Sequence, residues 1–151
     1  MLTARDIMTT EVITVTPEMP VAQLAETLWK NRISGAPVVD EAGCILSVVT
    51  QSDLIHQTKK MHIPTVITIL DAVIMLESPS KMEKELKKMT GTTVGDIKAG
   101  NLVTVGPDTP LDEIATIMAE KKVHTLPVVD VDGNLCGVIG KSDIIRTLAK
   151  R

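Results

Sequence analysis

Thr50 and Asp53 stand three residues apart where an apolar run, Ile45 to Val49, gives way to a segment of mixed polarity. Ninety residues on, Gly140, Lys141, Ser142 and Asp143 hold the same place after Leu135 to Ile139. A strand-to-helix junction presents unpaired backbone N–H groups and partial positive charge, which suits a phosphate. A hydroxyl there adds a donor, and a nearby carboxylate accepts from both hydroxyls of a ribose. The T-x-x-D spacing is also a capping box, with Thr50 as N-cap and Asp53 reaching back to it. Residue pattern alone favours the cap, and the two roles can coexist. Gly140-Lys141-Ser142 also looks like the end of a phosphate-binding P-loop. That motif needs a glycine five positions before Gly140, where Leu135 stands, so the P-loop reading fails.

Other chemistry-bearing residues are scattered. His56 and His62 have no partners at metal-ligand spacing. His124 is a lone histidine, read by itself as a surface or capped group. Cys44 and Cys136 are two positions out of register between the repeated segments and form neither a metal site nor a disulfide framework. No nucleophile stands with a base at a recognisable spacing, and no cofactor motif is present, so an enzyme is not expected and no catalytic residue is assigned.

The elements that must position the T-x-x-D segments come in two copies. Asp6 to Gln57 aligns without a gap on Asp96 to Thr147. Pro17/Pro107, Pro20/Pro110, Pro37/Pro127, Asp40/Asp130, Gly43/Gly133, Ser52/Ser142 and Asp53/Asp143 are identical pairs. In the first copy, Val12 to Val15 predicts a strand ended by Thr16-Pro17. Pro20 suits the first turn of a helix. Val21, Leu24, Ala25, Leu28 and Trp29 then form one apolar helical face to about Asn31. Trp29, which pairs with Ala119, is expected to fill a core or an interface. Ala36 to Val39 and Ile45 to Val49 predict a hairpin around Asp40-Glu41-Ala42-Gly43, with a helix from about Ser52. The second copy repeats this order, with Leu111, Ile114, Ala115 and Met118 on its first helix and a turn at Asp130 to Gly133.

Each copy is therefore β-α-β-β-α and is too small for a stable core alone, so the two must pack together with clefts between them. The expected fold is mixed α+β: two pseudo-twofold-related repeats with a helical insertion. The divisions are 1–60, 61–93 and 94–151. Thr65 to Leu76 is apolar and ambiguous between helix and strand, and Ser78 to Met89 reads as a charged amphipathic helix. Those apolar residues need cover from the module or from a second chain.

Composition narrows the function. At 151 residues and 44% hydrophobic, the chain can bury a core and is not disordered. No apolar run reaches membrane-spanning length, and no secretory signal is visible, so a reduced cytoplasm is expected. The net charge of −3, with Trp29 as the only aromatic residue, argues against nucleic acid as main partner. The basic run from Lys81 to Lys88 reads as a solvated helix face.

I-S-G-A-P-V-V-D, a glycine turn and V-V-T-Q-S-D-L resemble the CBS domain family, named for cystathionine β-synthase. V-H-T-L-P-V-V-D with G-V-I-G-K-S-D-I resembles it as well, so the likeness spans both copies. The resemblance implies a tandem module that binds adenosyl ligands (AMP, ADP, ATP or S-adenosylmethionine) in clefts between the repeats, with none held as a tightly bound cofactor. It also implies a homodimer and leaves room for an unknown effector protein. Carried over, site A takes Val12, Ile33, Ser34 and Gly35 with Gly140, Lys141, Ser142 and Asp143. Site B takes Leu102, Val123, His124 and Thr125 with Thr50, Gln51, Ser52 and Asp53. Apolar residues and backbone would hold adenine, Asp the ribose, and hydroxyls, Lys or His the phosphates. Gly140 stands where the family has Thr or Ser, and Ser47 where it has Gly, so one site can be degenerate. A regulatory nucleotide-binding module is the expected function; a structural dimerisation module with ligand-free clefts is the alternative.

Overall fold

The structure, a computed structural model, describes residues 1–60, 92–97 and 100–150. The expectations for Thr65 to Leu76, Ser78 to Met89 and His62 fall outside the described residues. Element order is α1 (Ala4–Ile7), α2 (Val21–Asn31), β1 (Gly35–Val39), β2 (Ile45–Thr50) and α3 (Gln51–Lys60). A 3-10 turn (Val94–Asp96) follows, then α4 (Leu111–Glu120), β3 (Thr125–Val129), β4 (Leu135–Gly140) and α5 (Lys141–Ala149).

The two hairpins have one register. Gly35 faces Thr50 and Val38 faces Ser47, as Thr125 faces Gly140 and Val128 faces Gly137, with a bulge at the same place in each. Gly43 and Gly133 both take φ 85, the left-handed conformation that their turns demand. Asp40 Oδ1 accepts from the N–H groups of Ala42 and Cys44, each at 2.9 Å, and Asp130 repeats both bonds.

The expected strand Val12 to Val15 is reduced to one rung. Val15 N–H donates to Pro37 O at 3.0 Å and Val39 N–H donates to Val15 O at 2.9 Å. The next rung of a parallel ladder would need an N–H from Pro37, which has none. Val105 repeats this between Pro127 and Val129, for the same reason. Pro20 is also displaced from its expected place: it is the N-cap of α2, one residue before the first turn.

Val21, Leu24 and Leu28 of α2 are buried against Val15, Ala36, Val38 and Val49. Ala25 and Trp29 are not, and Trp29 is 83% exposed, so it fills no core. The apolar stripe of α2 is wider than the sheet it packs on, and its i+4, i+8 edge faces outward.

Each unit completes its core with a segment that precedes the other unit in sequence. Ala4 and Ile7 of α1 are buried with Val105, Ile114, Leu126, Val128 and Ile139 of the second unit. Val94 and Ile97 are buried with Val15, Val21, Leu24 and Leu28 of the first. The exchange is reciprocal at the level of single bonds. Leu111 N–H donates to Leu2 O and Ala4 N–H to Thr109 O; Val21 N–H donates to Thr92 O and Val94 N–H to Met19 O. Cys44 and Cys136, out of register, are separate, but Cys44 bridges Asn134, its repeat equivalent, on the pseudo-twofold axis. Thr9 then runs along the free edge of β4, exchanging hydrogen bonds of 2.9 and 3.0 Å with Val138. Gly137 makes this possible, since a Cβ there would lie 2.6 Å from Met8 Sδ and 2.9 Å from Thr9 O.

The exchanged segments carry their own capping boxes. Thr3 N–H donates to Asp6 Oδ2 at 2.8 Å and Thr93 N–H to Asp96 Oδ2 at 2.9 Å. These backbone bonds, aided by the threonine hydroxyls, hold both carboxyls below their ordinary value. The stability they contribute is complete above the unfolded pKa of 3.8 and is lost as pH falls through the lower folded value. Melting curves of the Asp6→Asn/Asp96→Asn variant should accordingly show a flatter acid limb than the parent. The exchange makes a second prediction. Ile7→Ala should cost about 2–5 kcal/mol and reduce hydrogen-exchange protection in β3 and β4 more than in β1 and β2. Loss confined to the first unit would contradict the exchanged packing.

Candidate functional site

Both clefts lie where the start of one unit's hairpin meets the end of the other's. Ser34 Oγ and Thr125 Oγ1 approach to 3.3 Å across this seam. Gly35 has no room for a side chain: a Cβ would lie 2.8 Å from Thr125 Oγ1 and 3.0 Å from Val49 O. Gln51 N–H donates to Ser34 O at 2.9 Å, which ties the start of α3 to the same seam.

The cleft of site B encloses about 540 Å³. Leu102, Val123, His124, Thr125, Thr50, Gln51, Ser52 and Asp53 all line it. The cleft of site A encloses about 350 Å³ and is lined by Ile33, Ser34, Gly35, Gly140, Lys141, Ser142 and Asp143. Val12 is outside that lining and Ile13 takes its place. Val12 N–H donates to Thr10 O at 3.0 Å, so the chain turns there and is not extended. Volumes of this order suit a small organic molecule. Val48, Leu102, Val103 and Val123 supply aliphatic surface in one, and Ile13, Ile33 and Val138 in the other. Trp29 lies on a separate shallow hollow and reaches neither cleft lining.

Several lining residues escaped the sequence reading. Arg32 lines site A; Lys121 and Lys122 line site B. Arg32 and Lys122 are repeat equivalents and have φ of 52 and 53. A left-handed side-chain-bearing residue costs about 1 kcal/mol that a glycine would not. Arg32 is the C-cap of α2 and Lys122 follows the C-cap of α4, so the left-handed turn ends each helix and sets a cation on each cleft wall. The signal was a cation at one repeat position in both copies, hidden because the residue types differ. Glu11 and Thr9 of site A, and Asn101 of site B, were likewise missed.

The two junction carboxylates are engaged differently. Asp53 Oδ2 accepts from Thr50 N–H at 2.8 Å and Thr50 Oγ1 at 3.0 Å, so the capping box forms. Its Oδ1 makes no hydrogen bond among the described residues. Asp143 is 4% exposed. Its Oδ2 accepts from Gly140 N–H at 2.8 Å, the part of a cap that glycine can still supply. Its Oδ1 accepts from Thr9 Oγ1 at 2.9 Å and from the Arg146 guanidinium at 2.8 Å. Arg146 is half exposed, which screens the ion pair, whereas the carboxylate is not.

Removing Asp143 takes the acceptor from Gly140 N–H and Thr9 Oγ1 and leaves Arg146 only the longer bond to Ile7 O at 3.4 Å. Asp143→Ala should therefore cost about 2–3 kcal/mol, against about 1 kcal/mol for Asp53→Ala. Urea unfolding of both variants checks the order, and equal losses would contradict it.

Relatives share this architecture. A protein of Methanocaldococcus jannaschii is 28% identical over 128 residues, covering 79% of this chain and 75% of its own length. The chloroplastic CBS domain-containing protein CBSX1 of Arabidopsis thaliana is 31% identical over 140 residues. That match covers 87% of this chain, which spans only 57% of the Arabidopsis protein. The crystal structure of CBSX2 from Arabidopsis thaliana in complex with AMP superposes with a TM-score of 0.74 at 26% identity, covering 99% of this chain and 98% of that one. The CBS domain model matches residues 4–60 and 94–150, and with both copies of the repeat accounted for, the chain belongs to the CBS domain family as a tandem pair.

Proposed function

We propose that the chain is a regulatory module that binds an adenosyl ligand (AMP, ADP, ATP or S-adenosylmethionine) in the clefts between its repeats and is not itself an enzyme. Residues 1–60 and 94–151 supply the binding units, and 61–93 is a separate insertion. One observation carries the reading. Eight residues drawn from two segments far apart in sequence, Thr50 to Asp53 and Leu102 to Thr125, line a single 540 Å³ cavity. That cavity has an aliphatic wall for a base, a carboxylate oxygen open to ribose hydroxyls, and Lys121, Lys122 and His124 for phosphates. The Arabidopsis protein solved with AMP supports the same ligand class. Among the described residues no helix is long and apolar enough to cross a membrane, and no three of His, Cys, Asp and Glu come together to hold a metal.

A homodimer belongs to the same proposal. Trp29, Ile55, Ile145 and Leu148 are exposed apolar residues on α2, α3 and α5, surface that a second copy can cover. This surface also favours the second reading, a structural dimerisation module. Light scattering should give about twice 16.3 kDa; a mass of one chain at all concentrations contradicts the dimer.

Ligand binding separates the two readings. Adenine nucleotides should raise the melting temperature, since a ligand that binds only the native state stabilises it. Dissociation constants should be micromolar, roughly −7 to −9 kcal/mol. Asp53→Ala should weaken binding at site B by about 30-fold through lost charge-assisted hydrogen bonds. No shift and no calorimetric heat with any of the four ligands at millimolar concentration would leave the dimerisation reading.

A further inference from the structure

We infer that the two clefts are not equivalent: site B is the one that takes a phosphorylated nucleotide, and site A is held closed to ribose by the Thr9–Asp143–Arg146 network. The inference rests on the nucleotide-binding reading and assigns it to one cleft. A carboxylate binds the vicinal hydroxyls of a ribose by accepting from both, which requires free lone pairs facing the ligand. Asp53 has them, because its cap uses Oδ2 alone among the described residues. Asp143 lacks the pair that two hydroxyls need: Gly140, Thr9 and Arg146 take three of a carboxylate's roughly four acceptor positions, and the residue is 4% exposed.

The difference is written into residues that the repeat does not preserve. Thr9 is matched by Ala99, which has no hydroxyl, and Arg146 by His56. Thr50 is matched by Gly140, so site A lacks the junction hydroxyl as well. Glu11 lines site A where its equivalent Asn101 lines site B, which adds a negative charge against a phosphate. Site B is also the larger space, about 540 against 350 Å³. Lys121 and Lys122 on its wall give the phosphates two cations; site A has two as well, Arg32 and Lys141, but sets them against Glu11 and Asp143 where site B has Asp53 alone. Lys122 is held at φ 53 by the end of α4.

Thr9 belongs to the segment that crosses from the start of the chain onto β4. The closure of site A is therefore a consequence of the exchanged packing. A ribose that takes both its hydrogen bonds from Asp143 in site A must first displace Thr9 or Arg146 from that carboxylate.

Calorimetry of the full chain with ADP and with adenosine tests this. The wild type should bind one ADP per chain. The Lys121→Gln/Lys122→Asn variant, with asparagine chosen because it tolerates positive φ, should lose about tenfold or more for ADP and about threefold or less for adenosine. Thr9→Val/Arg146→Gln should gain a second binding event while the first is unchanged. If that pair fails to fold, judged by its circular dichroism, Arg146→Gln alone serves. Two events of equal affinity in the wild type would overturn the inference and leave the nucleotide reading intact. So would equal losses for ADP and adenosine in the lysine variant. A folded Thr9/Arg146 variant that stays at one event would overturn the closing role of the network. No binding of either ligand to the wild type would remove the nucleotide reading, and this inference with it.

Discussion

The reciprocal exchange of leading segments holds this molecule together. Neither α-β-β-α unit closes its own core: the first needs Val94 and Ile97, the second needs Ala4 and Ile7. Val94, Ile97 and Ile7 contribute roughly 1.5–3 kcal/mol each on removal from water, and Ala4 less. The hydrogen bonds that deliver them, Val21 to Thr92 and Leu111 to Leu2, fix each helix start to the other unit's leader. Two small units of marginal stability are thereby made into one.

The clefts follow from that constraint. With the leaders exchanged, the hairpins meet at the pseudo-twofold axis, where Cys44 bridges Asn134 and Ser34 reaches Thr125. The close approach leaves no room for a Cβ at Gly35. On each side of this seam, one unit's segment before its hairpin faces the other unit's strand-to-helix junction. Each cleft lining is thus assembled from the two units, from residues as near in sequence as Asp53 and Leu102 and as far apart as Thr9 and Asp143.

T-x-x-D serves as a structural motif at three places among the described residues. Thr3/Asp6 and Thr93/Asp96 form the capping box at exposed turns, and Thr50/Asp53 forms it at the cleft. At the cleft the box occupies one carboxylate oxygen only. A cap needs one acceptor for an N–H and its adjacent hydroxyl, so the other oxygen is left to the solvent side. The same four-residue device can therefore hold a helix start in place and present a carboxylate to a ligand. In the second unit, glycine at the cap position and a threonine arriving from elsewhere change the outcome.

The repeat, the hairpins and the glycine turns were legible in the sequence because they depend on local preferences. β-branched runs, Asp-x-x-Gly turns and helical periodicity each act over a few residues. That eight residues from the two units would line one cleft was legible for a second reason, since a twofold repeat and a family likeness say which segments face each other. Three things were not. Val12 to Val15 carried strand propensity, but the missing N–H of Pro37, on another segment, limited its pairing to Val15. Trp29 carried the hydrophobicity of a core residue, but the sheet beneath α2 covers only one flank of the stripe. Asp53 and Asp143 are the same residue at the same repeat position; glycine at 140 marked one junction as departing from the pattern, but nothing local says which carboxylate has a free oxygen. Only the folded chain does so, by bringing Thr9 across 134 residues to one carboxylate. Local sequence sets which groups are present, whereas the availability of a lone pair depends on every group that reaches it, and that is decided by long-range packing.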